Sequence, residues 1–372
     1  MRRQHLRFRP TASVRRAALG AALVVLAACS GSGKPIVVGA AGPWKEAYGA
    51  MNKMGIELAV AEINASGGIR GRRFEVVDRD DEGQGTRAAE IAGEFVANPD
   101  MVAVIGHVNS GAMVAAARVY DGELPAVATT ATSPELTGIS RWTFRVISSD
   151  SANGIALARF ASTLGRRRAA IIYENNSYGR GLADAFQRAF AGEVISVDPI
   201  PEGDTDLEPF VSYYAREKAD IVFSAGTDAS GLALLREARR QHFDAAFLGG
   251  DGWTGLVSDT AASDGAYVGA PFSAQDPRSE AQTFVRAFRK KYGKIPDGNA
   301  ALAYDATKLV AKAVAAVGPN RRRIRDWLAE IDERHAFVGV TGTIRFQPDG
   351  DPVGKSFVMT RVDKGLLEVA SQ

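Results

Sequence analysis

Short runs of strand-forming apolar residues alternate with helix-patterned segments along this chain, and the series runs through twice. That order is the signature of parallel sheets covered by helices. In the first series the strands are expected at 36–40, 74–78, 102–105 and 126–128, with helices at 48–64, 86–97 and 112–120. Met51, Met54, Leu58 and Ala61 fall at helical spacing, and Gly67-Gly68 stops that helix. In the second, helices at 151–164, 179–191, 208–218 and 230–241 alternate with strands at 169–173, 193–197, 221–225 and 245–248. The expected fold class is α/β: two doubly wound Rossmann-like lobes. A tail of helices at 279–292, 300–317 and 323–331 precedes a hairpin-like stretch at 342–346, 356–362 and 366–369. A chain that returns after two complete lobes crosses between them more than once, which makes a multi-crossover hinge. The lobes are expected to comprise residues 35–147 plus 274–345, and 148–273 plus 346–372.

The amino terminus carries an address. Arg2, Arg3, Arg7, Arg9, Arg15 and Arg16 form a basic leader without acids, and residues 17–28 are uncharged. A bilayer span needs about 20 apolar residues, so this run is a signal-peptide core. It closes on Leu26-Ala27-Ala28-Cys29, which looks like a bacterial lipobox, and Cys29 is the only cysteine among 372 residues. The expectation is a signal peptide at 1–28, lipidation of Cys29 and a tether at 29–34, in an extracytoplasmic lipoprotein (periplasm or cell surface) held to a membrane. The leader contains six of the 45 basic residues and none of the 43 acidic ones, so the mature chain has formal charge −4. That balance suggests no nucleic-acid partner. With Cys29 lipidated no disulfide can form, and His107, His242 and His335 are too scattered for a metal site. No cofactor is expected.

In open parallel sheets, ligands bind beyond the carboxyl ends of strands, where helix N-termini expose free N–H groups. Asn109-Ser110-Gly111 and Thr129-Thr130-Ala131-Thr132-Ser133 occupy such positions. Ser110 and Thr130 to Thr132 offer hydroxyls and amides to a carboxylate-sized anion. Ser and Thr are also preferred helix caps, and spacing alone does not separate the two roles. The second series presents Tyr178, Thr227 and Asp251 at equivalent places. A carboxylate there, facing an anion site in the first lobe, suits a zwitterion; capping is the alternative for Asp251, and a half-buried loop position for Tyr178.

These residues carry a family resemblance. Residues 61–71, Ala-Glu-Ile-Asn-Ala-Ser-Gly-Gly-Ile-Arg-Gly, resemble a stretch of the periplasmic leucine/isoleucine/valine-binding proteins. Asp80-Asp81, Val104-Ile105-Gly106-His107, Ser133-Pro134-Glu135-Leu136-Thr137, Tyr178-Gly179 and Ala303-Tyr304-Asp305-Ala306 fit the same family in order. The resemblance implies a type I periplasmic binding protein, whose lobes are joined by three crossovers and close on an amino acid for delivery to an ABC permease. It assigns Ser110 and Thr132 to the α-carboxylate, helped by the backbone at Thr130, with Ala131 in the same loop. Tyr178 would close over the ligand, Asp251 would meet the α-ammonium, and Tyr48 would stand beside the ligand side chain. Thr227 replaces an aromatic of the branched-chain binders, and the family's disulfide is absent.

Several motifs are decoys. Gly250-Asp251-Gly252-Trp253-Thr254-Gly255 follows a strand, but its carboxylate would face a pyrophosphate and no long helix follows. Gly354-Lys355-Ser356 resembles the end of a P-loop, yet Asp349 replaces the first glycine and a strand follows. His107 and Ser110 share one short loop without an orienting acid, so no nucleophile is expected and the chain is not an enzyme. Trp44, Trp253 and Tyr304 are candidates for a side-chain pocket or for packing. The expected function is that of a monomeric solute-binding protein of an ABC importer, taking an amino acid, branched-chain or related, by hinge closure. A sensor of the same fold, or a binder of amides, urea or aromatic acids, is the alternative.

Overall fold

The structure is a computed structural model that describes residues 33–370. The expected signal peptide, Cys29 and most of the tether lie outside the described residues. The first lobe begins β1 (Ile36–Gly42), α1 (Ala47–Ala65), β2 (Phe74–Asp80), α2 (Gly85–Ala97), β3 (Met101–Gly106), α3 (Ser110–Tyr120), β4 (Ala126–Ala128) and β5 (Thr143–Arg145). Its five strands are parallel, in the order β2-β1-β3-β4-β5. The second lobe follows with α4 (Asp150–Thr163), β6 (Arg168–Glu174), α5 (Ser177–Ala189), β7 (Glu193–Ile200) and α6 (Glu208–Arg216). It continues through β8 (Ile221–Ala225), α7 (Asp228–Arg240), β9 (Ala246–Gly249), the short α8 (Thr260–Ser263) and β10 (Tyr267–Ala270).

The chain then returns. α9 (Ser279–Tyr292), α10 (Gly298–Val317) and α11 (Arg321–Ala329) pack on the first lobe, α10 against α1 and β3. A small hairpin, β11 (Phe337–Gly339) with β12 (Gly342–Ile344), sits on α10, where Asp305 accepts the Val340 and Thr341 N–H groups at 2.8 Å each. Finally β13 (Val358–Asp363) and β14 (Leu366–Val369) complete a seven-stranded sheet, ordered β14-β13-β10-β9-β8-β6-β7. Three segments therefore cross between the lobes: 146–149, 271–278 and 345–357.

The central strands explain their own placement. Every residue of β3 (Met-Val-Ala-Val-Ile-Gly) and of β8 (Ile-Val-Phe-Ser-Ala) is buried, as parallel strands covered on both faces require. Phe223 of β8 stacks on Phe186 of α5 with ring centroids 3.9 Å apart, tying strand to helix. Gly68 has φ +72°, and a Cβ there would lie 2.1 Å from the Arg72 carbonyl oxygen, so α1 stops where only glycine fits.

One expectation about the tail is corrected, while the hairpin of its last two strands is as expected. Residues 342–346 do not join the later strands; β12 pairs with β11, and the third crossover separates it from β13. β13 is inserted between β10 and β14, antiparallel to both. β5, β10 and β11, which span three or four residues each, were not expected, because so short a run shows no alternation.

Candidate functional site

The carboxyl ends of both sheets face one cleft of about 90 Å³. The first-lobe wall presents Tyr48, Val108, Asn109, Ser110, Thr130 and Asn299. The second-lobe wall presents Asn176, Tyr178, Glu202, Thr227, Asp251 and Gly252. The lobes touch at this cleft: Asn299 Nδ2 donates to Thr254 Oγ1 at 3.2 Å.

Ser110 is the first residue of α3, so it sits at the positive end of that helix. Its Oγ accepts the backbone N–H groups of Thr132 and Ser133 at 3.1 Å each. Those two bonds fix the hydroxyl and leave its own proton available to an acceptor in the cleft. Thr130 donates its hydroxyl to the Val108 carbonyl at 3.1 Å. Behind this wall His107 is fully buried, with Nδ1 2.6 Å from Asp81 Oδ2 and Nε2 3.0 Å from the Tyr120 hydroxyl. Those contacts anchor the turn from β3 into α3.

On the other wall the Tyr178 hydroxyl donates to Asp251 Oδ1 at 3.1 Å and accepts the Gly252 N–H at 3.1 Å. Burial pushes the Asp251 carboxyl up to about 7. Burial, followed by the Asp251 charge, pushes the neighbouring Asp150 carboxyl well above its ordinary value. The Asp251 turn is held by Trp253, a fully buried ring two residues on. A Cβ at Gly249 would lie 2.2 Å from that ring, so the strand end is shaped to receive it. Thr227 lines the cleft, but its hydroxyl and N–H both donate to Glu174 Oε1, at 2.7 and 3.1 Å.

A model of the periplasmic binding protein family matches residues 35–365. The chain belongs to that family. Its members are solute binders rather than enzymes, and this chain is one of them. Among relatives, a "Leu/Ile/Val-binding protein homolog 2" of Brucella abortus is 28% identical over 362 residues, covering 93% of this chain and 95% of the relative. An ABC transporter substrate-binding protein from Desulfitobacterium hafniense, solved in complex with Leu, is 31% identical with TM-score 0.79, covering 91% of this chain and 100% of that one. The branched-chain amino acid transporter substrate binding protein LivJ from Streptococcus pneumoniae, solved with isoleucine, is 29% identical with TM-score 0.84 over the same shares.

Six of the residues singled out in the sequence, Tyr48, Ser110, Thr130, Tyr178, Thr227 and Asp251, line the cleft of this binding protein. Ala131 and Thr132 do not, which corrects their expected place: both are buried behind the wall, and the Thr132 N–H is engaged by Ser110. Trp253 and Tyr304 pack instead of lining the site, and the Tyr304 hydroxyl donates to Glu62 Oε2 at 2.6 Å. Trp44 borders a separate groove along α1 and β2. The Gly250–Gly255 motif forms short 3₁₀ turns, and Lys355 donates to the Thr341 carbonyl at 2.7 Å within the third crossover. Neither arrangement is a phosphate cradle. Sequence reasoning missed Glu202 and Asn299, and it gave no role to Asn109 and Asn176 beside Ser110 and Tyr178. Asn109 and Asn176 immediately precede α3 and α5, a signal that attention to the Ser and Tyr beside them obscured. Among the described residues no cluster of His, Cys, Asp and Glu is arranged to hold a metal, and no helix is long and apolar enough to cross a membrane.

Proposed function

We propose that this chain is the solute-binding lipoprotein of an ABC importer, capturing an amino acid between its lobes and delivering it to a permease. The observation that carries this reading is the opposition of Ser110, at a helix N-terminus on one wall, to Asp251, a buried acid on the other. One wall suits an α-carboxylate and the other an α-ammonium. Relatives named for leucine, isoleucine and valine, and structures solved with Leu and isoleucine, support an amino-acid ligand. In this reading Ser110 donates to the carboxylate, assisted by Thr130 beside it on the same wall. Tyr178 and Asp251 hold the ammonium, while Tyr48 and Thr227 flank the side chain.

The lobes are taken as 35–147 with 274–345, and 148–273 with 346–372, closing about the three crossovers. Hydrogen bonds to charged groups contribute about 1.5–3 kcal/mol each, and only the closed state makes those of both walls together. The basic leader and Leu26-Ala27-Ala28-Cys29 support signal cleavage after residue 28, lipidation of Cys29 and a monomer tethered at 29–34 outside the cytoplasmic membrane. A thermal-shift panel of the common amino acids tests the central claim, because a ligand that binds only the folded state raises its apparent stability. A flat response across the panel, or full binding by Ser110→Ala and Asp251→Ala variants, rejects it. Loss of membrane partitioning in a Cys29→Ala variant tests the anchor.

A further inference from the structure

Once Ser110 and Asp251 are assigned to a zwitterion, the rest of the cleft must accommodate the ligand side chain, and most of the side chains around it carry a polar group. Glycines aside, the lining contains one aliphatic side chain, Val108, and no lysine, arginine or histidine. Asn109 donates Nδ2 to the Tyr48 hydroxyl at 2.9 Å, and its Oδ1 is buried with no hydrogen-bond partner among the described residues. An acceptor buried without a donor is unfavourable, so this position calls for an N–H or O–H from whatever enters. Glu202, in the turn after β7, supplies an exposed carboxylate at the mouth of the same cleft. Its charge and that of Glu46 act on the Tyr48 hydroxyl, which places Glu202 and Tyr48 at one end of the cleft. Asp251 stands beside Asp150 and Tyr178.

We propose that the ligand is an amino acid whose side chain ends in N–H donors, an amide or a cation, received by Asn109, Tyr48 and Glu202. This rests on the amino-acid reading of the cleft and names the class within it. A branched aliphatic side chain would leave the Asn109 acceptor unpaired and cover the Glu202 carboxylate without replacing its hydrogen bonds to water. A site built to accept hydrogen bonds discriminates strongly against analogues that lack the donor.

Calorimetry with glutamine, lysine, leucine and alanine decides the matter. The expected result is that glutamine or lysine binds at least tenfold more tightly than leucine. Glu202→Gln should then weaken lysine about tenfold if the donor is a cation. If it is an amide, Asn109→Leu should abolish the advantage of glutamine over leucine. Either pattern supports the class. Leucine binding as tightly as both polar ligands overturns it, while the amino-acid reading stands. Absence of binding by all four removes both.

Discussion

The Tyr178 hydroxyl donates to Asp251 Oδ1 across 3.1 Å, and burial between the lobes pushes that carboxyl up to about 7. An ammonium beside Asp251 requires its ionised form, so a bound cation lowers the carboxyl's pKa and expels its proton. The sign is fixed: protonation competes with the ligand below about pH 7. Amino-acid affinity should therefore fall as pH is lowered from 8 to 5, by up to about tenfold per unit once the free carboxyl is protonated. Asp251→Asn should bind weakly and lose this pH dependence. Calorimetry at several pH values reads both.

Stability of the ligand-free protein should move the other way. Burial pushes Asp228 as well as Asp251 up to about 7, from an ordinary value of 3.8. A group with a raised folded-state pKa contributes stability that is fully present below the unfolded value and is lost as pH rises through the folded one. The window is thus about pH 4 to 7. Lys355, lowered to about 8 by burial, contributes only as pH rises past that value. The melting temperature without ligand should be higher at pH 5.5 than at pH 8. Asp228→Asn, which retains an acceptor for the Gly255 N–H, should flatten that difference.

The α/β alternation was legible because parallel strands such as β3 and β8 are apolar on both faces and helices such as α5 bury one periodic stripe, with Leu182, Ala183 and Phe186 on it. Ser110, Tyr178 and Asp251 were legible because strand ends and helix starts place ligands by rule. Glu202 was not, because it lies in a turn whose approach to Tyr48 is made by two lobes far apart in sequence. The insertion of β13 between β10 and β14 was illegible for a related reason: the third crossover sets it, and no local pattern encodes a strand's neighbours. Thr132 failed in the opposite sense, since its sequence position suits a ligand contact while its amide is engaged by Ser110.

Gly181 faces Pro134 across the lobe boundary. A Cβ at Gly181 would lie 2.6 Å from Pro134 Cδ, a ring atom with little freedom to yield. The position is inside α5, where alanine is favoured over glycine by roughly 0.5–1 kcal/mol. Gly181→Ala should therefore have opposed effects. Ligand affinity should drop about tenfold because the Cβ obstructs the approach of the lobes seen in this structure, while the ligand-free protein, whose lobes can part to relieve the contact, should keep or slightly raise its melting temperature. Thermal unfolding and calorimetry on one preparation check the two signs together.

Arg145 ties the loop that holds Ser110 to the hinge. Its Nε and Nη2 donate to the two oxygens of Asp351 at 2.6 and 2.7 Å, while Nη1 donates to the Thr132 and Ser133 carbonyls at 2.9 and 2.8 Å. Arg145 ends β5 just before the first crossover, and Asp351 lies in the third, so one buried guanidinium spans two of the three connections. Removing one partner of a buried pair leaves the other charge uncompensated, at about 3–5 kcal/mol. Asp351→Ala should lower the denaturation midpoint by an amount in that range. It should also weaken the ligand, because the two carbonyls held by Arg145 belong to the residues whose N–H groups position Ser110. Asp351→Asn retains an acceptor and should recover part of both losses. Urea denaturation read alongside ligand titration distinguishes this coupling from a stability defect alone, which would lower the midpoint and leave the affinity of the folded protein unchanged.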